Sequence, residues 1–295
     1  MLLELETLSP AQRQSWLQHA VAPRPVAFVS TIDKQGNVNL SPFSFFNLFS
    51  SNPPIVVFSP ARRVRDNTIK HTLENIQEVP EAVISIVDEA MVQQVSLSSC
   101  EYAKGENEFV KAGFTPAAAV KVKPPLVKES KINLECKVIE VKPLGTEGGA
   151  GNLVICEVLC IHIDDNILNA EKSMIDQRKM HHVARLGGDW YCSVNEQNLF
   201  QVAKPNTQLG MGIDALPSAI RNSRFLSGNH LGQLANLTAI PEIDPAYQHP
   251  QLRHIVQYFS LSPDDMENEL HKLAAKLLDE GEVLQAWQIL LRTDL

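Results

Sequence analysis

Residues 132–142 read Ile-Asn-Leu-Glu-Cys-Lys-Val-Ile-Glu-Val-Lys, and their pattern restricts the fold more than any other feature. Apolar side chains fall at 132, 134, 136 and 138, then slip to 139 and 141. A period of two marks a strand with one buried face, and a slip of one predicts a β-bulge, which bends the strand and raises its twist. Long bent strands are what a barrel needs. Residues 153–163 are apolar at nearly every position and are expected to be covered on both faces, with a glycine-rich reversal at 145–151 between the two strands. Further strands are predicted at 26–32, 37–46, 55–59 and 82–87. The first two form a hairpin around Asp33-Lys34-Gln35-Gly36. Short strands joined by reversals, with few helices between them, favour a mainly β barrel or sandwich over a βαβ sheet.

Helix signals are local. Ser9-Pro10-Ala11-Gln12 holds an N-cap, a first-turn proline and a capping-box glutamine, predicting a helix to Ala20. Asn67 is expected to cap a helix through Ile76, and Asp88 another reaching Leu97. Residues 102–116 read as an ordered loop with a single helical turn. Beyond about Phe200 the character changes, so the chain is expected to divide into a domain at 1–199 and an extension at 200–295. Residues 204–250 are rich in Pro, Asn and Gly. Ser262-Pro263-Asp264-Asp265 then opens a helix with an apolar stripe at 266, 270, 273 and 277, which Gly281 stops. A second helix carries Val283, Trp287, Leu290 and Leu291. Two such helices must dock on the barrel, on each other or on a second subunit.

Charge and motifs exclude several functions. Lys plus Arg is 26 against 34 Asp plus Glu, a formal charge of −8, so no global field attracts nucleic acid or an anionic membrane. No apolar run approaches the roughly 18 residues of a membrane span. The N-terminus lacks the basic segment of a signal peptide, and five scattered cysteines suit a reduced, cytoplasmic protein. Cys156 and Cys160 lie about 13 Å apart along a strand, and the adjacent His181 and His182 point apart, so no metal site is expected. There is no P-loop and no nucleophile elbow.

Two segments carry chemistry. Residues 59–68 end a strand and set Arg62, Arg63 and Arg65 within four positions, beside a predicted helix start; guanidinium forks there suit one phosphate. Ser41-Pro42-Phe43-Ser44-Phe45-Phe46-Asn47 interleaves aromatic rings with short polar groups, a wall for a flat heteroaromatic ring. A ring site and a phosphate site one strand apart suggest a flavin mononucleotide.

The order of motifs resembles the flavin reductase-like, FMN-binding split-barrel family. It runs from Arg24-Pro25-Val26-Ala27-Phe28-Val29-Ser30-Thr31 through the 41–47 segment to Pro53-Pro54-Ile55. Asp66-Asn67-Thr68-Ile69-Lys70, Ser98-Ser99-Cys100-Glu101-Tyr102, Leu134-Glu135-Cys136-Lys137 and Arg185-Leu186-Gly187-Gly188 follow. The resemblance covers about 20–192. It implies a six-stranded Greek-key split β-barrel with peripheral helices, here followed by a partly helical C-terminal extension. It also implies a homodimer with FMN near the subunit interface, and reduction of flavin by NADH or NADPH, alone or beside an oxygenase partner. Carried onto this chain, Thr31, Ser41, Phe43, Ser44 and Asn47 would line the isoalloxazine. Ser59, Arg62, Arg65, Asn67 and Thr68 would take the phosphate, and the segment from His182 through Arg185 to Gly188 would close over the ring. The rival expectations are a flavoprotein oxygenase acting itself on a small organic substrate, and a non-catalytic FMN-binding protein.

Overall fold

The computed structural model describes residues 1–204 and 208–292; the remainder of the 200–295 extension, 205–207 and 293–295, lies outside the described residues. The chain forms two compact units, Met1–Phe200 and Gln201–Leu295.

In chain order the first unit carries α1 (Pro10–Ala20), β1 (Arg24–Pro25), β2 (Ala27–Ile32), β3 (Val38–Phe43), β4 (Phe46–Ser51) and β5 (Pro54–Phe58). Next come α2 (His71–Glu78), β6 (Glu81–Ile86), α3 (Val92–Leu97), α4 (Glu108–Ala112), β7 (Pro116–Ala117) and β8 (Leu126–Val127). β9 (Ile132–Pro143), β10 (Asn152–Ile163), β11 (Val183–Arg185) and β12 (Tyr191–Ser193) complete it. The main sheet has seven strands in the order β3-β2-β6-β9-β10-β5-β4, all paired antiparallel, one more than the six expected. The added strand arises because the segment read as one strand over 37–46 breaks at Ser44-Phe45. β3 and β4 flank that break, yet they lie at opposite edges of the sheet. Three virtual bonds of 3.8 Å separate Phe43 from Phe46, so the two edges approach within about 11 Å. The sheet must therefore curl on itself, and its edges meet without pairing: a split barrel.

The slip in the apolar pattern is a bulge, as the sequence required. β9 pairs Glu140 with Ile155 and Val138 with Cys156, leaving Ile139 unopposed, and β10 answers with a second bulge at Leu159. The barrel core gathers Val29, Phe43, Phe58, Ile84, Leu134, Val154 and Cys156, and α2 closes it with Leu73 and Ile76. Val26 and Phe28, alternating with these on the chain through β2, face outward into a second cluster with Leu40, Phe109 and Phe114 from the α3–α4 side; Phe28 meets Phe114 edge-on at 5.1 Å. The expectation that 153–163 is covered on both faces holds only for its first half. Past the bulge, Leu159 and Ile161 are 41% and 53% exposed.

Helix α1 follows its capping box, with the Ser9 and Gln12 bonds both present. Asn67, by contrast, caps nothing. It sits in a turn at φ +57°, and α2 begins four residues later with Lys70 as its N-cap. The arginine loop therefore gains no helix N-terminus.

The second unit contains α5 (Ser218–Arg221), α6 (Gly228–Ala235), α7 (Pro250–Tyr258), α8 (Pro263–Asp279) and α9 (Val283–Leu290). The α8 stripe and Trp287 of α9 bury against each other and share a core with Leu216, Ile220, Leu234, Leu252 and Ile255, so the expected helix pair finds its cover inside its own unit. No helix among the described residues is long and apolar enough to cross a membrane.

Candidate functional site

The loop after β5 is zipped to the 145–151 reversal. Arg62 N–H donates to Ala150 O at 2.8 Å, Gly149 N–H to Arg62 O at 3.0 Å, and Ala61 bridges Gly151. The approach is close enough that a Cβ on Gly148 would stand 2.9 Å from Val64 O. Within this loop the three arginines divide their work. Arg62 is spent on the fold: Nε donates to Asn67 Oδ1 and Nη2 to Asn67 O, each at 2.6 Å. Arg65 is exposed and ion-paired, at 2.5 Å to Glu101 and 3.1 Å to Asp66. The Thr68 hydroxyl and N–H, donating at 2.6 and 3.1 Å, hold the Asp66 carboxyl down at about 2, helped by Arg65.

Arg63, not singled out for phosphate from the sequence, faces a small polar cavity with Ser41, Lys70, His71, Ser99 and Cys100. Its Nη1 donates to Thr68 Oγ1 and Ile69 O at 2.8 Å, and its Nε to Glu101 at 3.3 Å. Burial, then the neighbouring Arg63 charge, lowers the Lys70 pKa, and Glu101 only partly opposes them. Burial also pushes His71 down. On the cavity's inner wall Glu108 accepts Leu40 N–H at 2.9 Å, and burial raises its pKa. Arg63 and Lys70 stand close together beside hydroxyls, with Glu101 paired to Arg63 at 3.3 Å and Glu108 on the same lining, so an anion entering here competes with Glu101 for the guanidinium. Lys70 closes the run Asp66-Asn67-Thr68-Ile69-Lys70, which was the one sequence signal pointing to it.

A separate groove of about 770 Å³ is lined by Leu17 of α1, Val21 just past its end, Arg24, Phe45, Ala61 and the 145–150 loop. Buried Arg24 ties its end together, donating to Gln18 O at 2.6 Å, to Leu186 O at 2.8 Å and to Val21 O. The groove is of the size and apolar character that small-molecule sites show. The same two chain segments thus contribute to both, Phe45 and Ala61 to the groove and Ser41 and Arg63 to the cavity, with no residue lining the two together.

The remaining expected residues scatter. Ser44 and Ser59 sit half-buried at the split, where Ser59 N–H donates to Phe45 O at 2.8 Å. Asn47 is exposed and its Oδ1 accepts Leu48 N–H. Thr31 is wholly buried beneath α2, accepting from Asn75 Nδ2 at 3.3 Å, and Phe43 packs on Phe58 in the core, 5.4 Å between rings. Neither presents its side chain to the groove or the cavity. His182 is half-buried beside Asp88, and burial lowers its pKa. Arg185 stacks on the Tyr191 ring at 4.7 Å and donates to Tyr191 Oη and Gly188 O at 2.6 Å. Pairing of β1 with β11 sets it beside Arg24 rather than over the ring wall.

A family model described as flavin reductase like domain matches residues 19–184. An uncharacterised protein of Halalkalibacterium halodurans is 38% identical over 198 residues, 66% of this chain and 93% of the relative. One of Aquifex aeolicus is 37% identical over 171 residues, 58% and 84% of the two chains. Among solved structures, nitrilotriacetate monooxygenase component B from Bacillus cereus superposes with a TM-score of 0.64 at 28% identity, covering 68% of this chain and 98% of that one. A protein of Shewanella frigidimarina described as a flavin reductase with a split barrel domain gives 0.58 at 27%, covering 69% and 100%. These likenesses support a flavin cofactor and a reductase-like role.

Proposed function

The chain belongs to the flavin reductase-like domain family, and from that premise we propose that it is an FMN-dependent oxidoreductase that passes hydride from NADH or NADPH to flavin. The observation that carries the reading is that residues 41–45 and 61–63 contribute both to an apolar groove of about 770 Å³ and to a polar cavity holding Arg63 and Lys70. A bound flavin supplies the hydride-accepting chemistry, and the protein supplies position and electrostatics. Arg63 and Lys70 hold the phosphate as charge-assisted donors, with the Ser41 hydroxyl beside them. Phe45, with Leu17 and Val21 from the α1 side, keeps water from the ring's edge. Arg62 and Asn67 set the shape of the loop from behind.

A second copy of the chain completes this reading. Leu48 and Phe49 of β4, and Leu159 and Ile161 of β10, leave apolar side chains in solvent on one sheet, and a homodimer interface covers such a surface. By likeness to the monooxygenase component B, an oxygenase in the cytoplasm is the consumer of the reduced flavin.

The test is a visible spectrum of the purified chain with FMN, followed anaerobically on adding each nicotinamide. Stoichiometric FMN uptake and bleaching faster than free FMN are expected. No uptake at micromolar FMN would overturn the proposal, and uptake without accelerated bleaching would leave a flavin-binding protein only.

The Lys70 shift gives this site a pH signature. Lys70 binds phosphate when protonated, and its folded pKa is lowered. FMN affinity is therefore full near neutrality and falls as pH rises, starting below the ordinary lysine value of about 10.4. Riboflavin, which lacks the phosphate, is expected to show no such decline in the same fluorescence titration, and Lys70→Met to abolish it for FMN.

A further inference from the structure

Three donors of different chemistry meet on the outer face of the barrel, away from both cavities. Core positions of β9 are 132, 134, 136 and 138, so Glu135 points the opposite way. The bulge at Leu159 sets Cys160 directly across from Glu135, and His162, two residues on and opposite Asn133, shares the face of Cys160. The Cys160 sulfur, a His162 ring nitrogen and a Glu135 oxygen all lie within 4.8 Å of one another. Glu135 is fully buried and rigidly held. Its Oε2 accepts Lys121 N–H at 2.5 Å and Val122 N–H at 3.0 Å, and its Oε1 accepts Val120 N–H at 2.8 Å. Oε1 also meets His162 Nε2, at 2.5 Å. The imidazole is one-third exposed, which gives an approach from solvent.

We propose that Glu135, Cys160 and His162 are a three-ligand site for a divalent cation of the zinc class, with the fourth position left to water. The mixed sulfur, nitrogen and oxygen set suits a borderline ion rather than calcium or magnesium, which take oxygen. A tetrahedral ion with bonds of about 2.0–2.3 Å sets its ligands roughly 3.3–3.8 Å apart, so the His162 ring, now 2.5 Å from Glu135, must swing back by about 1 Å, within the 4.8 Å that bounds the three donors. All three ride on two hydrogen-bonded strands, and peptide N–H groups orient the carboxylate from behind, as outer-shell partners do in metal sites. Binding forms metal–sulfur, metal–nitrogen and metal–oxygen bonds, releases the Cys160 thiol proton to solvent, and involves no change of oxidation state. The ion takes the place of the His162–Glu135 hydrogen bond and pins the 120–122 segment to the barrel.

The inference stands apart from the flavin reading, and its test does not use activity. The full chain is titrated with Zn2+ by calorimetry and with Co2+ by absorbance, read in the red, where oxidised flavin does not absorb. One equivalent is expected to bind, with the intense ligand-field bands of four-coordinate cobalt. Cys160→Ser and His162→Ala, confirmed as folded by circular dichroism, are each expected to weaken binding by at least about tenfold, while Cys192→Ser, at a free cysteine outside the cluster, leaves metal binding unchanged. Absence of saturable binding, or a cobalt spectrum that survives both Cys160→Ser and His162→Ala, would overturn the site.

Discussion

Arg63→Ala is expected to weaken FMN binding by roughly 10- to 100-fold while riboflavin binding stays within about threefold. A hydrogen bond to a charged group contributes about 1.5–3 kcal/mol, which converts to that range of affinity. Arg63 is the guanidinium on the cavity side, in reach of Lys70's charge, and the phosphate is the part of FMN that riboflavin lacks. Arg62→Ala should behave differently. Its two bonds to Asn67 shape the loop, so both ligands weaken together, by less than FMN loses in Arg63→Ala. Arg65→Ala removes solvent-screened ion pairs to Glu101 and Asp66 and should change either affinity little. Fluorescence titration of the three variants with both flavins checks the set. Equal loss of FMN and riboflavin in Arg63→Ala would move the phosphate elsewhere.

The second large effect lies in the C-terminal unit. Trp287→Ala should destabilise that unit by about 3–5 kcal/mol, the usual result of emptying a tryptophan-sized volume. Trp287 is fully buried among Leu234, Leu270, Leu277 and Leu278, and its indole N–H donates to Leu234 O at 3.3 Å. A unit of this size holds about 5–15 kcal/mol in all, so the change consumes a large share of it. The chain carries a convenient reporter. Of its three tryptophans, Trp16 and Trp190 are 50% and 74% exposed, and Trp287 is 0%. The blue edge of the emission spectrum therefore belongs to the C-terminal unit, and urea unfolding followed there reads that unit separately. FMN binding is expected to persist in Trp287→Ala, since every residue of the proposed flavin site belongs to the first unit.

What could be read from the sequence was what local rules control. The bulge at Ile139 shows as a slip in alternation, because a side-chain period of two leaves no other way to keep one face buried. The Ser9–Gln12 box shows because all its bonds lie within one turn. Asn67 was misread for the complementary reason. Asparagine serves helix caps and left-handed turns alike, and the choice was made by Arg62 and by Thr146 O, 79 residues away. Choosing among three arginines likewise depended on distant groups: Glu101 pairs with both Arg65 and Arg63, and only Arg63 also faces the cavity beside Lys70. Helices α6 and α7 lie within the Pro-, Asn- and Gly-rich stretch 204–250 or at its end, where turn signals mask their short apolar stripes, and they form against a shared core. Spacing along one strand also argued against a metal shared by Cys156 and Cys160, and those two do lie on different sides of a bulge; the partner that changes the question is Glu135, across the ladder.

The break at Ser44-Phe45 separates two kinds of compliance. Every ladder in the seven-stranded sheet stays on one side or the other of that seam, and Phe45 is tethered to the β5 side through Ser59. Movement of one lip against the other is thus absorbed by torsions near a single serine, with no strand pair to break. Phe45, the phenylalanine that lines the groove, stands at this break. In the proposed flavin site, a planar guest beside Phe45 would meet a jaw with a soft joint and stiff arms, able to grip ligands of different thickness without remaking the barrel behind them.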